Sequence, residues 1–153
     1  MASSGKNIEI KRETELGRCV EILTDFSAQF PQFLTDSEII TGYAEKLLRR
    51  GLFLSATLGD RPLGLMCGYV NDEVGKTAYI SLLAISREAG LLRGKIFHGF
   101  IDAFCGCARE QGMTCIRAEV DDENTGAMKL YRALGAEITG RASEHSSYFV
   151  IRL

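Results

Sequence analysis

The most informative run of this sequence is Glu119-Val120-Asp121-Asp122-Glu123-Asn124-Thr125-Gly126-Ala127-Met128-Lys129-Leu130-Tyr131-Arg132-Ala133-Leu134-Gly135-Ala136. At its start Ile116, Ala118 and Val120 alternate with Arg117 and Glu119, the period-two signature of a strand with one apolar and one polar face. Asn124 carries the short amide side chain that caps helices by accepting from a backbone N–H. Ala127, Leu130, Tyr131 and Leu134 then recur at helical spacing, and Gly135 supplies the residue that often ends a helix. A strand, a polar turn and a short capped helix therefore follow one another without a break.

Upstream, Ile96, Phe97, Phe100, Ile101, Phe104 and Ala108 mark an amphipathic helix ending near Gly112. It is preceded by a loop, Arg87-Glu88-Ala89-Gly90-Leu91-Leu92-Arg93-Gly94-Lys95, and by an apolar strand, Thr77 to Ser86. Two more apolar stretches, Leu52 to Leu58 and Leu63 to Val70, are divided by turn formers and read as an antiparallel meander with that strand. A helix carrying Ile39, Ile40, Tyr43 and Leu47 is announced by Thr35 and Glu38, which fit a capping box, and is stopped by Gly51. Leu16, Val20 and Leu23 give an earlier helix and Asn7 to Lys11 a first strand. Downstream, Glu137 to Gly140 and Tyr148 to Leu153 form a closing hairpin. The expected order is β-α-α-β-β-β-α-β-α-β-β, one domain over residues 1–153 with a loose, disordered start at Met1 to Lys6. A dinucleotide-binding unit is excluded, because Glu13-Thr14-Glu15 follows the first strand where a glycine-rich turn is required.

Composition bounds the rest. Eighteen Lys and Arg against twenty Asp and Glu leave a net charge of −2, so no basic excess exists to neutralise a nucleic-acid backbone. The longest apolar runs fall far short of the roughly 20 residues of a membrane helix, and Met1 to Lys6 lacks the apolar segment of a secretion signal, so the expected compartment is the cytoplasm. Five cysteines, an odd number, argue for reduced thiols. Cys105-Gly106-Cys107 has one intervening residue where zinc motifs use two, so no metal site is expected.

Over Asn124, Ala127, Leu130, Tyr131, Leu134 and Gly135 the chain resembles the GNAT superfamily of acyl-CoA-dependent N-acyltransferases, whose last motif reads N-x-x-A-x-x-L-Y-x-x-L-G-F. Ala136 replaces the usual aromatic residue. The element order agrees along nearly the whole chain. The resemblance implies a mixed α/β (α+β) fold: a mostly antiparallel sheet of about seven strands, splayed between strands 4 and 5 and flanked by four helices. It implies acetyl-CoA as co-substrate, with the pantetheine arm bonded to the backbone of Leu83 and Ile85 on the fourth strand. One of those amides would also face the thioester oxygen, where negative charge grows as an amine attacks.

The family's pyrophosphate loop, Q/R-x-x-G-x-G/A, is matched in part. Arg87 to Gly90 fit the first four positions, but Leu92 stands where a small residue belongs. The phosphate-binding amides are therefore either those of Gly90, Leu91 and Leu92 or, with a two-residue insertion, those of Arg93, Gly94 and Lys95 at the helix start, where the dipole favours anions.

The resemblance places Tyr131 at the general-acid position, while the same ring also fits as a core residue beside Leu130 and Leu134. Glu119 is the candidate base, and its spacing to Asn124 and Tyr131 resembles that of the ribosomal-protein alanine N-acetyltransferases; a solvated strand carboxylate is the competing reading. Asn124 caps its helix, with or without touching the co-substrate. His98 and His145 are weaker candidate bases. The implied activity is acetyl transfer to a primary amine, on a small molecule or a protein, by direct attack in a ternary complex. Two rivals are a GNAT-like domain that binds CoA or a partner without turnover, and an interaction module with no CoA site. Acceptor choice would lie in the Phe26 to Asp36 connection and in Ser143 to Ser147, with Asp25, Asp36 and Glu144 as candidate acids, and a second copy of the chain is a candidate partner.

Overall fold

The structure, a computed structural model, describes residues 7–31 and 33–153. The disorder expected of Met1 to Lys6 lies outside the described residues. Within them the order is β1 (Ile8–Arg12), α1 (Leu16–Phe26), α2 (Ser37–Arg50), β2 (Leu52–Leu58), β3 (Arg61–Tyr69), β4 (Thr77–Ile85), α3 (Arg93–Glu110), β5 (Cys115–Asp121), α4 (Thr125–Ala133), β6 (Glu137–Ser143) and β7 (Ser146–Arg152). The strands form one sheet in the order β1-β2-β3-β4-β5-β7-β6, antiparallel except for the parallel pair β4–β5. This is the expected mixed fold of seven strands and four helices among the described residues.

Each face of the sheet is covered by apolar side chains of one pair of helices. Ile96, Phe97, Phe100, Phe104 and Ala108 of α3, with Tyr131 of α4, close one core. Cys19, Ile22, Leu23 and Phe26 of α1, with Ile40, Ala44 and Leu47 of α2, close the other. The cap of α2 is Asp36, whose side chain accepts from the Ile39 amide at 2.9 Å, one residue later than the Thr35 expected. Ile39, expected on the apolar face, is 43% exposed, and Ala44 takes its place.

Two irregularities of the sheet create the site. The parallel ladder joins Thr77–Ile80 to Cys115–Ala118 and stops there, although both strands continue. Ahead of that point β4 carries a bulge: Cys67 faces Leu82 and Gly68 faces Ile80, so Ser81 is the extra residue. The slip reverses which residues face which core. Ala78 and Ile80 point to the α3 side, whereas Leu82 and Ala84 point to the α1–α2 side. Gly68 is required here, since a Cβ would stand 2.1 Å from the Tyr79 carbonyl oxygen and 2.8 Å from the Phe104 ring.

Candidate active site

Beyond Ile80 and Ala118 the two strands diverge around a cavity of about 960 Å³. Its walls come from both faces of the sheet. Leu83, Ala127 and Tyr131 stand on the α3–α4 side; Tyr79 and Glu119 stand on the other, with Phe30, Pro31 and Phe33 from the connection between α1 and α2. The β6–β7 turn adds Ser143, His145 and Ser146.

The backbone of β4 presents unpaired groups to this opening. Ser86 donates its amide to the Leu63 carbonyl at 2.8 Å, so by the alternation of an antiparallel ladder Ala84 and Leu82 are the residues bonded to β3. The amides and carbonyls of Leu83 and Ile85 point the other way, toward β5, which has already turned aside. Leu83 lines the cavity; Ile85 is 7% exposed and lies beyond its wall.

Tyr131 is 2% exposed, its ring held edge-on by Phe97 at 5.2 Å and against Phe149 at 5.8 Å. Burial alone pushes its phenol pKa up from the ordinary tyrosine value. Glu119 sits on the wet face of β5, and its Oε2 accepts from the Ser146 hydroxyl at 2.7 Å. Ser146 is itself 5% exposed and within 2.7 Å of the Ser143 hydroxyl. Asn124 caps α4 by accepting from the Ala127 amide at 3.1 Å, and it also lines the cavity. Asp122 is tied to Arg141, which holds its carboxyl below the usual range and fastens the β5–α4 turn to the final hairpin.

The acetyltransferase (GNAT) family model matches residues 19–136. The chain belongs to this family. Among solved structures, the GNAT fold recurs in Ard1 from Thermoplasma volcanium, with a TM-score of 0.74, 19% identity and coverage of 95% of this chain and 97% of that one. It recurs in the PaiA N-acetyltransferase of Thermoplasma acidophilum in complex with coenzyme A, with a TM-score of 0.69, 16% identity and coverage of 96% and 99%. PseH, an N-acetyltransferase of Campylobacter jejuni, gives 0.67 and 17%, with coverage of 95% and 97%. At these identities the likeness is one of fold. No curated protein sequence matches the chain.

In this GNAT chain the sequence-derived residues fall into two groups. Leu83, Glu119, Asn124 and Tyr131 meet around the cavity; Gly90, Leu91, Leu92, Arg93, Gly94 and Lys95 do not line it. The second group follows Ile85 along the chain. Arg87–Leu92, expected as an open loop, is a 3-10 turn in which Gly90 has φ 54° and ψ −122°, Leu91 is fully exposed and Leu92 packs on the core. The helix starts at Arg93, earlier than the Ile96 expected, so Arg93, Gly94 and Lys95 form its first turn. Arg93 already donates its amide to the Gly90 carbonyl, which leaves the first-turn amides of Gly94 and Lys95 at the positive end of the dipole.

His98 is exposed in the second turn of α3 and away from the cavity, whereas His145, ranked equally low from the sequence, lines it. Phe30 and Ser146 lie in the two segments expected to choose the acceptor without being named individually, and Tyr79 was not anticipated. Ser146 could have been found by alternation from Tyr148, which pairs with Glu119; the others depend on loop geometry and on the bulge.

Proposed function

We propose that this GNAT protein transfers an acetyl group from acetyl-CoA to a primary amine that attacks the thioester directly while both substrates are bound. The observation that carries this is the wedge itself: the β4–β5 ladder ends at Ile80 and Ala118, the amides of Leu83 and Ile85 face the gap, and Tyr131 and Glu119 stand on opposite sides of it. Acetyl-CoA fits these residues. The edge of β4 would bind the pantetheine amides, one of its N–H groups would face the thioester oxygen, and Gly94 and Lys95, with the exposed Arg93 and Lys95 side chains, would meet the pyrophosphate. That the PaiA N-acetyltransferase of the same fold holds coenzyme A supports the assignment.

Glu119 takes the proton that an acceptor ammonium, of pKa about 8 for an α-amine, must lose before attack. Tyr131, whose phenol is protonated at neutral pH as any ordinary tyrosine is, donates toward the departing thiolate. The ribosomal-protein alanine N-acetyltransferase type is the finer reading, supported by the spacing of Glu119, Asn124 and Tyr131, and it makes a peptide α-amine the acceptor. The chain acts as one domain over residues 1–153 in a reducing compartment, which its five free cysteines support. The test is a thermal shift with acetyl-CoA followed by thiol release with a panel of amines and peptide N-termini. Stabilisation together with amine-dependent thiol release is expected; stabilisation without release from any amine would favour a domain that binds CoA without turnover.

A further inference from the structure

The acceptor side of the cavity has a one-sided charge. Among the described residues, no Lys or Arg lines it, whereas Glu119, Asp121, Asp122 and Glu123 do. These acids are not equivalent. Asp122 is matched by Arg141, through two hydrogen bonds of 3.0 and 2.7 Å. Glu119 and Asp121 are not matched by a cation: they are two residues apart on the exposed face of β5, so both side chains leave the same side of the sheet about 6–7 Å apart. Glu119 accepts from Ser146, and one Asp121 oxygen accepts from the Glu123 amide at 2.8 Å, neither of which neutralises a charge. Arg117, next on that face, stacks over the ring of Tyr148, the cross-strand partner of Glu119, at 4.9 Å, makes no ion pair with either acid and does not line the cavity.

Two independent features make this pair part of a ligand site. Tyr131 lines the same cavity at 2% exposure, with neither a charge nor a hydrogen bond contributing to its phenol's upward shift. On the same side of the sheet as Glu119, Phe30, Pro31 and Phe33 add an apolar wall to this cavity, and Phe33 is 41% exposed.

We infer that the acceptor is an amine with an apolar group beside it and no carboxylate near the reacting nitrogen, so that the site takes simple amines or peptide N-termini and rejects free amino acids. This rests on the acetyltransferase reading above. A carboxylate on the carbon next to the amine would be held close to both Glu119 and Asp121, with no Lys or Arg in the lining and His145 of the β6–β7 turn as its one basic neighbour among the described lining residues. Repulsion at such distances in a partly screened cleft costs about tenfold or more in affinity for each close like charge. An ammonium there is attracted instead, and the wall receives its side chain.

The experiment compares leucine with isoamylamine, which is leucine without its carboxylate and whose ammonium is no more acidic. Thiol release from acetyl-CoA and thermal shift of the CoA-saturated full chain are read for both, with leucyl-glycinamide as the peptide arm. Isoamylamine is expected to exceed leucine by at least about tenfold in kcat/KM and to stabilise the protein at lower concentration. The preference should shrink several-fold in 1 M salt and in Asp121→Asn, with acetyl-CoA affinity unchanged in the latter. Faster use of the peptide amide than of isoamylamine assigns the site to peptide N-termini, and the reverse to free amines. Equal or better use of leucine, binding of neither, or a preference untouched by both salt and Asp121→Asn would overturn the inference while leaving acetyl transfer standing. Failure of acetyl-CoA itself to bind would remove the acetyltransferase reading, and this inference with it.

Discussion

The Ser146 hydroxyl donates to Glu119 Oε2 at 2.7 Å across the β5–β7 ladder, and it is buried while the carboxylate it holds is exposed. The candidate base is thus aimed by a residue that solvent barely reaches. Ser146→Ala should lower kcat about tenfold or more without changing acetyl-CoA affinity, because a hydrogen bond to a charged group contributes about 1.5–3 kcal/mol. Ser146→Thr, which keeps the hydroxyl, should recover most of the rate. In a double-mutant cycle the alanine should add nothing once Glu119 is changed; an additive loss would mean that Ser146 acts elsewhere.

Glu119→Gln keeps the size of the side chain and removes its capacity to take a proton. Turnover at pH 7 is expected to fall roughly 10²-fold or more and to recover in part as pH rises, when more of the acceptor amine is already neutral. Wild-type turnover in this variant would return Glu119 to the role of a solvated strand carboxylate.

Tyr131→Phe separates chemistry from packing. The ring contacts with Phe97 and Phe149 remain, so the variant should fold with little change in melting temperature. Loss of a positioned acid should still slow turnover on the order of 10² to 10⁴, with acetyl-CoA binding nearly unchanged, as read by calorimetry beside steady-state rates. An unaltered rate would leave Tyr131 a core residue.

Gly94→Pro deletes one first-turn amide at a position where a helix tolerates proline better than in its interior. The expected result is weaker acetyl-CoA binding by calorimetry, about tenfold, with circular dichroism unchanged. Unchanged affinity would move phosphate binding off the first turn of α3 and back to the Gly90 turn.

Gly68→Ala places a methyl group against the Tyr79 carbonyl and the Phe104 ring, neither of which can yield without disturbing the bulge at Ser81. Overpacking of this kind costs about 1–3 kcal/mol, or several degrees in melting temperature, and here it should also reduce acetyl-CoA affinity, since the bulge sets the direction of Leu83 and Ile85. A stable variant with full affinity would show that the bulge is not needed for the wedge.

The sequence was legible where periodicity and punctuation agree. β5 and α4 follow from the alternation of Ile116, Ala118 and Val120 and from a helical stripe bracketed by Asn124 and Gly135. The start of α3 was misplaced for a physical reason: its cap, Leu92, makes no side-chain hydrogen bond, and Gly94 inside the first turn reads as loop. The bulge was invisible because every residue of Thr77–Ile85 suits a strand, so nothing marks Ser81 as the one without a partner. The two segments that line the acceptor side, Phe26 to Asp36 and Ser143 to Ser147, were legible as such, but which of their residues reach the cavity beside Glu119 was not, because turns fix that geometry and the intervening residues do not encode it locally.

The early end of the β4–β5 ladder also has a mechanical meaning. Strands β1 to β4 precede α3 and strands β5 to β7 follow it, so the sheet is two sub-sheets, each contiguous in the chain, joined by four residue pairs from Thr77–Cys115 to Ile80–Ala118. Rotation about that short seam changes the width of the wedge while leaving every strand pairing within either sub-sheet intact. Such a rotation would break no ladder hydrogen bond of either half.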